Sequence, residues 1–271
     1  NNGWQQEHYF SADPDTLPLE RAENEAGKRV RISLQISDDA EIWIEAWTAR
    51  VGRSRLILLD TNVDGNSDEI RELTAHLYGG DDRCRIRQEY VLGVGGMRVL
   101  RAMGITPGVV HLNEGHSAFA LLELARGLMA RDGQSFGNVR EMAAAMSVFT
   151  THTPVAAGHD RFGADLVEET LGRLRGELKL SPEELMGLGR INPGDANEPF
   201  CMTVLGMKMA RTRNAVSHLH ARVSAGMWRS LWPEKKMAEI PIGYITNGVH
   251  VGTWISTEMD RLFNRWLGDG W

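Results

Sequence analysis

The amino-acid sequence predicts an α/β fold, with a Rossmann-like parallel sheet flanked by helices and an antiparallel, β-rich N-terminal part. Three observations predict it. Residues 1–70 carry short runs in which apolar and polar residues alternate, as in antiparallel strands. Residues 71–271 instead show short apolar runs followed by longer helical patterns, which is typical of βα units. Glycine is frequent, at 29 of 271 residues, as the many tight turns of such units require.

Composition excludes several classes of protein. The chain has 30 Lys and Arg against 36 Asp and Glu, a net charge of −6, so it lacks the basic excess of a nucleic-acid binder. No apolar run approaches the roughly 18 residues that span a bilayer, and the first residues show no secretion signal. The two cysteines, Cys84 and Cys201, have no metal-binding spacing, which favours a reducing, cytoplasmic setting.

The N-terminal part reads as an antiparallel meander. Apolar residues alternate over 30–36 and again over 42–46, and Gly52-Arg53-Ser54 forms a turn before the next apolar run. The alternation places Trp43 and Trp47 together on the opposite face of the second strand. We interpret them as a second packed face rather than a platform for sugars.

In the second part, strands are predicted to begin near residues 109, 148 and 242. The first strand leads into a helix with an apolar stripe over 118–129, for which Ser117 is available as N-cap. A helix is predicted from about Asp165, and one helical stretch from about Phe200 to Trp228. Alternating strands and helices predict a parallel sheet, in which ligands bind at the carboxyl ends of the strands.

Polar side chains collect at those predicted strand ends. Most of them carry no charge, and each can donate or accept hydrogen bonds, as sugar hydroxyls require. They are Asn113, Glu114, His116, His152, His159, Asp160 and Asn247. A turn or N-cap role would explain any one of them alone, but together they favour a polyol or glycan cleft.

A glycine-rich stretch suggests a dinucleotide site, and the sequence argues against it. Gly93-Val94-Gly95-Gly96-Met97-Arg98 has Arg98 where the fingerprint needs a third small residue. The region from Arg85 to Met103 is better read as one helix interrupted by glycines.

Metal and nucleophile sites are also disfavoured. His111 and His116 flank Glu114 with a spacing of five rather than the four of a zinc protease motif, and the pair His218 and His220 points to different helix faces. No nucleophile elbow is present. We expect no metal and no covalent catalysis by cysteine.

Several long, collinear motifs resemble the α-glucan (glycogen, starch and maltodextrin) phosphorylase family in its bacterial and archaeal short form. The two longest are residues 111–119 (HLNEGHSAF) and 148–162 (VFTTHTPVAAGHDRF). Shorter matches are 59–62 (LDTN), 77–81 (LYGGD), 85–89 (RIRQE), 216–220 (VSHLH), Met227-Trp228 and 245–250 (ITNGVH). The resemblance covers essentially the whole chain.

The resemblance implies part of one half of a two-domain, GT-B-type glycosyltransferase. Family members cleave an α-1,4-glucan with inorganic phosphate and release glucose 1-phosphate with retained configuration, and the complete enzyme can be a homo-oligomer. Pyridoxal phosphate assists through its own phosphate group. The cofactor lysine and the phosphate-gripping Arg and Lys residues belong to a C-terminal domain that is not matched here. We therefore expect no cofactor-binding residue in this chain, and an inactive fragment on its own.

The resemblance also implies residue roles. His152 corresponds to the histidine whose backbone carbonyl and ring face the transferred glucosyl unit, and Asn247 to the asparagine that binds its 6-hydroxyl; these two are the candidate catalytic residues. Glu114 and His116 correspond to residues that line the acceptor side, and Asn113 supports their turn. Muscle-type enzymes have an aspartate in place of Glu114.

Two other functions stay open at this point. A non-catalytic glycan-binding or scaffold module could use the same fold. A sugar hydrolase would need two carboxyl groups about 5–10 Å apart, for which Glu114 and Asp160 are the only candidates.

Overall fold

In the computed structural model, Gly3 and residues 13–36, 40–76 and 80–271 are described; part of the motif at 77–81 lies outside them. The strands are β1 (Glu20–Arg21), β2 (Arg31–Gln35), β3 (Glu41–Val51), β4 (Ser54–Asp60), β5 (Val110–Asn113), β6 (Ser147–Thr151), β7 (Arg161–Phe162), β8 (Phe200–Cys201), β9 (Thr212–Ala215) and β10 (Gly243–Tyr244).

From β5 onward, one or two α-helices separate most neighbouring strands along the chain. The helices are α1 (Asp68–Arg71), α2 (Asp82–Tyr90), α3 (Gly96–Ala102), α4 (Phe119–Asp132), α5 (Phe136–Ala145), α6 (Ala164–Leu178), α7 (Pro182–Gly189), α8 (Met202–Met209), α9 (His218–Met227), α10 (Val251–Trp254) and α11 (Thr257–Leu267). Within the described ranges, none of the helices combines the length and apolar character that crossing a bilayer demands.

The antiparallel sheet is built around β3. Glu45 pairs with Arg31 of β2 and with Asp60 of β4, so these strands lie on opposite edges of β3, while β1 pairs further along the same strand. The β3–β4 turn has Gly52 in the left-handed region, at φ +59°. The alternation predicted for 42–46 is confirmed, since its apolar members are buried.

The two tryptophans of β3 form a packed outer face. Trp47 is 5% exposed, its indole Nε1 donates to Asp60, and the Arg21 guanidinium lies 4.1 Å from its ring centroid. Arg31 covers Trp43 in the same way, at 4.7 Å. Arginine covers both rings, so neither presents the bare face that stacking on a sugar needs.

The glycine-rich stretch is helical, as predicted. Residues 91–95 form a π-helical segment that joins α2 to α3 without a break. A Cβ on Gly93 would stand 2.8 Å from the backbone nitrogen of Ala120 and 2.9 Å from Phe119 Cβ. The glycine therefore permits close packing of this helix against the start of α4, and the stretch is no phosphate-binding turn.

The parallel sheet has the strand order β10-β9-β6-β5, and every neighbouring pair is parallel. The predicted apolar stripe of α4 is buried. Ser117 is not the N-cap of α4, because a single 3₁₀ turn over 115–117 comes first and Ala118 takes the cap position without a side-chain hydrogen bond.

The prediction of one helical stretch from Phe200 to Trp228 is wrong. Strand β9 lies within it, between α8 and α9, and takes a central place in the sheet. Its sequence, Thr-Arg-Asn-Ala, has no apolar alternation to reveal a strand. Hydrogen bonds stabilise it instead: Thr150 of β6 donates its hydroxyl to Asn214 Oδ1 at 2.9 Å.

A buried ionic cluster ties α4 to the helix before it. Glu123 is fully buried, and its carboxylate accepts from Arg126 at 2.6 and 2.8 Å, from Arg98 at 3.1 Å and from Arg101 at 3.1 Å. Burial alone would raise the pKa of Glu123, but these arginines outweigh it and lower that pKa.

We predict that Glu123→Gln lowers the free energy of unfolding by about 3 kcal/mol, because three guanidinium groups, two of them partly buried, lose their shared counter-charge. Chemical denaturation at pH 7 measures this change. Glu177→Gln is the matched control, since Glu177 contacts Arg98 and Arg126 only at 3.9 and 3.5 Å and is partly exposed, and it should cost less than about 1 kcal/mol. Equal losses in the two variants would contradict the central role of Glu123.

Candidate functional site at the strand ends

The predicted site residues lie at the carboxyl ends of parallel strands. Glu114 follows β5, His152 follows β6, and Asn247 comes three residues after β10. His116 lies in the 3₁₀ turn before α4. Because all four strands are parallel, these positions belong to one edge of the sheet.

Glu114 joins the ends of β5 and β6. Its Oε1 accepts hydrogen bonds from the backbone nitrogens of His152 and Thr153, the latter at 2.7 Å, and from the Thr151 hydroxyl at 3.2 Å. Oε2 accepts from the nitrogen of Gly115 at 3.3 Å. The side chain is buried. Its carboxylate is therefore committed to the backbone of the loop that carries His152.

The backbone and charge state of Glu114 fit this role. Its φ is +71°, a conformation that side-chain-bearing residues rarely adopt. Burial alone would raise the pKa of Glu114, but the hydrogen bonds from His152 and Thr153 outweigh it and lower the pKa. The carboxylate is thus ionised at neutral pH, as a strong acceptor of backbone hydrogen bonds must be.

The ring of His152 is fixed by its neighbour across the sheet. Its Nε2 lies 2.6 Å from Oδ1 of Asn113, so Nε2 carries the proton and donates. The side chain is half-buried and Asn113 is exposed, which leaves this pair accessible from the edge of the sheet.

A second group surrounds His116. The ring Nδ1 lies 3.2 Å from Oδ2 of Asp160 and 3.6 Å from Oε1 of Glu89. The Arg85 Nη2 atom lies 2.9 Å from the same Nδ1, 3.1 Å from Asp160 Oδ2 and 3.2 Å from Glu89 Oε1. One guanidinium nitrogen thus contacts all three groups.

The charges in this group are strongly perturbed. Burial raises the pKa of Glu89 to about 8, with the neighbouring Asp160 adding to the effect. Asp160 and Glu89 raise the pKa of His116 to about 9. Burial opposes ionisation of Asp160, but hydrogen bonds from His116, Glu89 and Arg85 hold its pKa well below the usual range. At pH 7 Glu89 is largely protonated beside an imidazolium–carboxylate pair.

Glu89, His116 and Asp160 also have the spacing of a metal site. One ligand atom from each lies within 4.8 Å of the others. The Arg85 guanidinium, however, lies against all three atoms and already supplies the positive charge that a metal ion would bring. With Glu89 protonated, Arg85 and His116 are cations and Asp160 is the anion, so the group carries a net positive charge, which disfavours a metal cation there.

The remaining candidate residues differ in their exposure. His159 is buried and not on the rim: its Nδ1 pairs with the Thr203 hydroxyl at 2.9 Å, and its ring packs edge-on to Trp228 at 4.9 Å between centroids. Asn247 is exposed, and its backbone nitrogen donates to the Val216 carbonyl at 3.1 Å. Burial raises the pKa of the Cys201 thiol, which disfavours a nucleophilic thiolate there.

Four residues that take part in the hydrogen bonds and ion pairs at the strand ends were not predicted as site residues from the sequence. Arg85 and Glu89 stand one helical turn apart in α2, so their i,i+4 spacing signals the ion pair but not its closeness to His116. Thr150 and Asn214 extend a polar line across three strands, since His111 Nε2 lies 2.7 Å from the Thr150 hydroxyl. No local sequence pattern indicates this series of hydrogen bonds across the strands.

We predict that Glu114→Ala lowers the free energy of unfolding by about 3 kcal/mol, because several backbone and hydroxyl donors lose a charged acceptor. Glu114→Gln, which keeps one acceptor oxygen, should cost about half as much. Thermal and chemical unfolding measure both changes, with Glu141→Ala on exposed surface as control. If both Glu114 variants cost less than the control, the carboxylate does not hold this loop.

A further prediction concerns pH. The raised pKa values of Glu89 and His116 mean that the folded chain binds more protons than the unfolded chain between about pH 5 and 9, so stability falls as the pH rises through this window. Glu89→Gln imitates the protonated acid and should flatten the fall above pH 6. Unfolding curves at pH 6 and 8.5 test this, with Glu141→Gln as control, and an unchanged slope in Glu89→Gln would refute it.

The chain is similar to known proteins over almost its whole length. No protein-family model matches the chain. It is 40% identical over 271 residues to a maltodextrin phosphorylase of Thermococcus litoralis, covering all of this chain and 31% of that protein. It is 38% identical to a glycogen phosphorylase of Mycobacterium tuberculosis (96% of this chain, 31% of that one) and 33% identical to one of Aquifex aeolicus (99% and 38%).

These relatives match the chain almost from end to end, while the chain spans only about a third of their length. The collinear motifs and the α/β architecture agree with that match. The resemblance to the α-glucan phosphorylase family is thereby confirmed: the chain is similar over its whole length to about one third of a maltodextrin or glycogen phosphorylase.

Proposed function

We propose that the chain supplies one wall of the glucan cleft of an α-1,4-glucan phosphorylase, which uses inorganic phosphate to release glucose 1-phosphate. The observation that carries the proposal is the 40% identity with maltodextrin phosphorylase over all 271 residues. The accessible polar groups at the strand ends support it, because they can pair with sugar hydroxyls. Since the chain spans about a third of its relatives, we propose that it binds glucan without cleaving it when alone.

Each strand end has a proposed role in that cleft. Asn247, exposed after β10, binds the 6-hydroxyl of the glucosyl unit, and His152 faces the same unit through its carbonyl and ring. His116 and the exposed Asn113 bind the acceptor side of the glucan. We propose that Glu114 acts behind them by holding the loop of His152, because its carboxylate already accepts four hydrogen bonds.

The proposal implies pyridoxal phosphate as cofactor, which the family binds through a lysine. The five lysines of this chain do not suit that role. None follows the carboxyl end of a strand in the parallel sheet, and Lys208 is half-buried with its ammonium donating to the carbonyls of Gly187 and Arg190. We derive no step of the reaction through the cofactor in this chain, and we propose that another part of the enzyme holds it.

The test is glucan binding by the chain itself. We predict that maltoheptaose shifts the amide NMR signals of Asn113, His152 and Asn247, that cellopentaose does not, and that added phosphate yields no glucose 1-phosphate. Asn247→Ala should raise the Kd for maltoheptaose about two- to tenfold, since one neutral hydrogen bond contributes about 0.5–1.5 kcal/mol.

Asn138→Ala, an exposed asparagine of α5, is the matched control and should leave the Kd unchanged. Signal changes confined to the antiparallel sheet, or an equal loss of affinity in both variants with unchanged melting temperatures, would remove the strand ends from the glucan site.

A further inference from the structure

The segment that carries Asp160 is held at the start of α8. The backbone nitrogen of Met202, the first residue of that helix, donates to the Asp160 carbonyl at 3.1 Å. The next residue of the segment, Arg161, pairs with Cys201 in the two-stranded ladder of β7 and β8. The backbone of Asp160 is therefore fixed, so its side chain starts from a defined position.

The turn that carries His116 packs against the same helix start. Gly115, the residue before it, is buried, and a Cβ there would stand 3.0 Å from the backbone nitrogen of Thr203 and 3.1 Å from the Met202 Cβ atom. The absence of a side chain thus lets the turn approach α8 closely. One element positions both Asp160 and His116, although 44 residues separate them in the sequence.

The carboxylate of Asp160 is shared by two cations. Arg85 donates to it in two-pronged fashion, from Nε to Oδ1 at 3.4 Å and from Nη2 to Oδ2 at 3.1 Å. His116 Nδ1 lies 3.2 Å from the same Oδ2 atom. Glu89 lies beside them, but burial raises its pKa and keeps it largely protonated at pH 7. Asp160 is therefore the carboxylate that balances both cations.

The contact with Asp160 decides which edge of the imidazole faces outward. A ring nitrogen that donates to a carboxylate fixes the orientation of the ring and the role of its second nitrogen. With Nδ1 of His116 directed at Asp160, Nε2 points away from the carboxylate. The pKa of His116, raised to about 9, keeps protons on both nitrogens at pH 7, and the side chain is 30% exposed. The outward edge of the ring is thus a charged donor.

We propose that Asp160 is a positioning residue for the acceptor side of the glucan site: it holds the His116 ring so that the Nε2 N–H group donates to a glucan hydroxyl. Arg85 acts one step further back, by holding Asp160. This assignment rests on the role proposed above for His116 and adds a direction to it. The hydroxyl that meets His116 accepts a charge-assisted hydrogen bond, which is stronger than a neutral one.

The first measurement is the nitrogen NMR spectrum of the His116 ring in the full chain at pH 7, without glucan. Both ring nitrogens should be protonated in the wild type, and also in Glu89→Gln, which replaces a neutral acid by a neutral amide. Adding Asp160→Asn to Glu89→Gln should remove the Nδ1 proton, since the Arg85 guanidinium then lies 2.9 Å from Nδ1 without a carboxylate between them. An unprotonated Nδ1 in the wild type, accepting from Arg85, would overturn the proposal.

The second measurement is a double-mutant cycle of the affinity for maltoheptaose. Asp160→Asn should raise the Kd about three- to tenfold, as expected when a charged donor becomes a neutral one. The same substitution should change the Kd less than about twofold when His116→Gln is already present, because Asp160 acts through that ring. Asp160→Glu, which keeps the charge, should recover most of the affinity. Asp269→Asn, on exposed surface, is the control and should leave the Kd unchanged.

The outcomes separate this role from the function of the cleft. If the wild type binds no maltoheptaose, the glucan function and this proposal are both wrong. If the wild type binds it but Asp160→Asn has the same effect with and without His116→Gln, the proposal alone is wrong, because Asp160 then contacts the glucan itself or serves only the fold. Melting temperatures show which variants are folded, and the wild-type spectrum can refute the proposal even if Asp160→Asn does not fold.

Discussion

The carboxylate of Glu114 fixes the edge of the parallel sheet on which the site is built. A backbone at φ +71° costs about 1–3 kcal/mol, and hydrogen bonds to a charged group contribute about 1.5–3 kcal/mol each. Glu114 accepts hydrogen bonds from the amides of His152 and Thr153, and two more from Gly115 and Thr151. Together these hydrogen bonds stabilise the turn by more free energy than its strained backbone costs. The placement of His152, and with it the pairing to Asn113, follows from this one acceptor.

Much of this arrangement could be predicted from the sequence because it follows from periodicity. Strands β5 and β6 carry apolar runs, and parallel strands bring Glu114 and His152 to one edge by topology alone. The buried orientation of the Glu114 side chain could not be predicted, because a positive φ at a residue other than glycine produces no recognisable sequence pattern. Strand β9 was missed because hydrogen bonding by Asn214, rather than burial of apolar side chains, holds it in place.

Two buried glutamates show how the number of donors sets the state of a carboxyl group. Glu123 accepts from three arginines and stays ionised, which makes it a fixed anchor between helices. Glu89 shares the single guanidinium of Arg85 with His116 and Asp160, and burial then raises its pKa to about 8. The first group is suited to stability alone. The second places an exchangeable proton beside the strand ends.

The helix that runs from α2 through the π-helical segment links the two sheets mechanically. Tyr90 donates its hydroxyl to the carbonyl of Gln35 in the antiparallel sheet at 3.3 Å, while Glu89, one residue earlier, contacts His116 at the parallel sheet. Gly93 seats the same helix tightly on α4. Neighbouring residues on a single helical turn therefore contact different sheets, so the position of this helix relative to β2 also fixes the position of Glu89 beside the His116 imidazole.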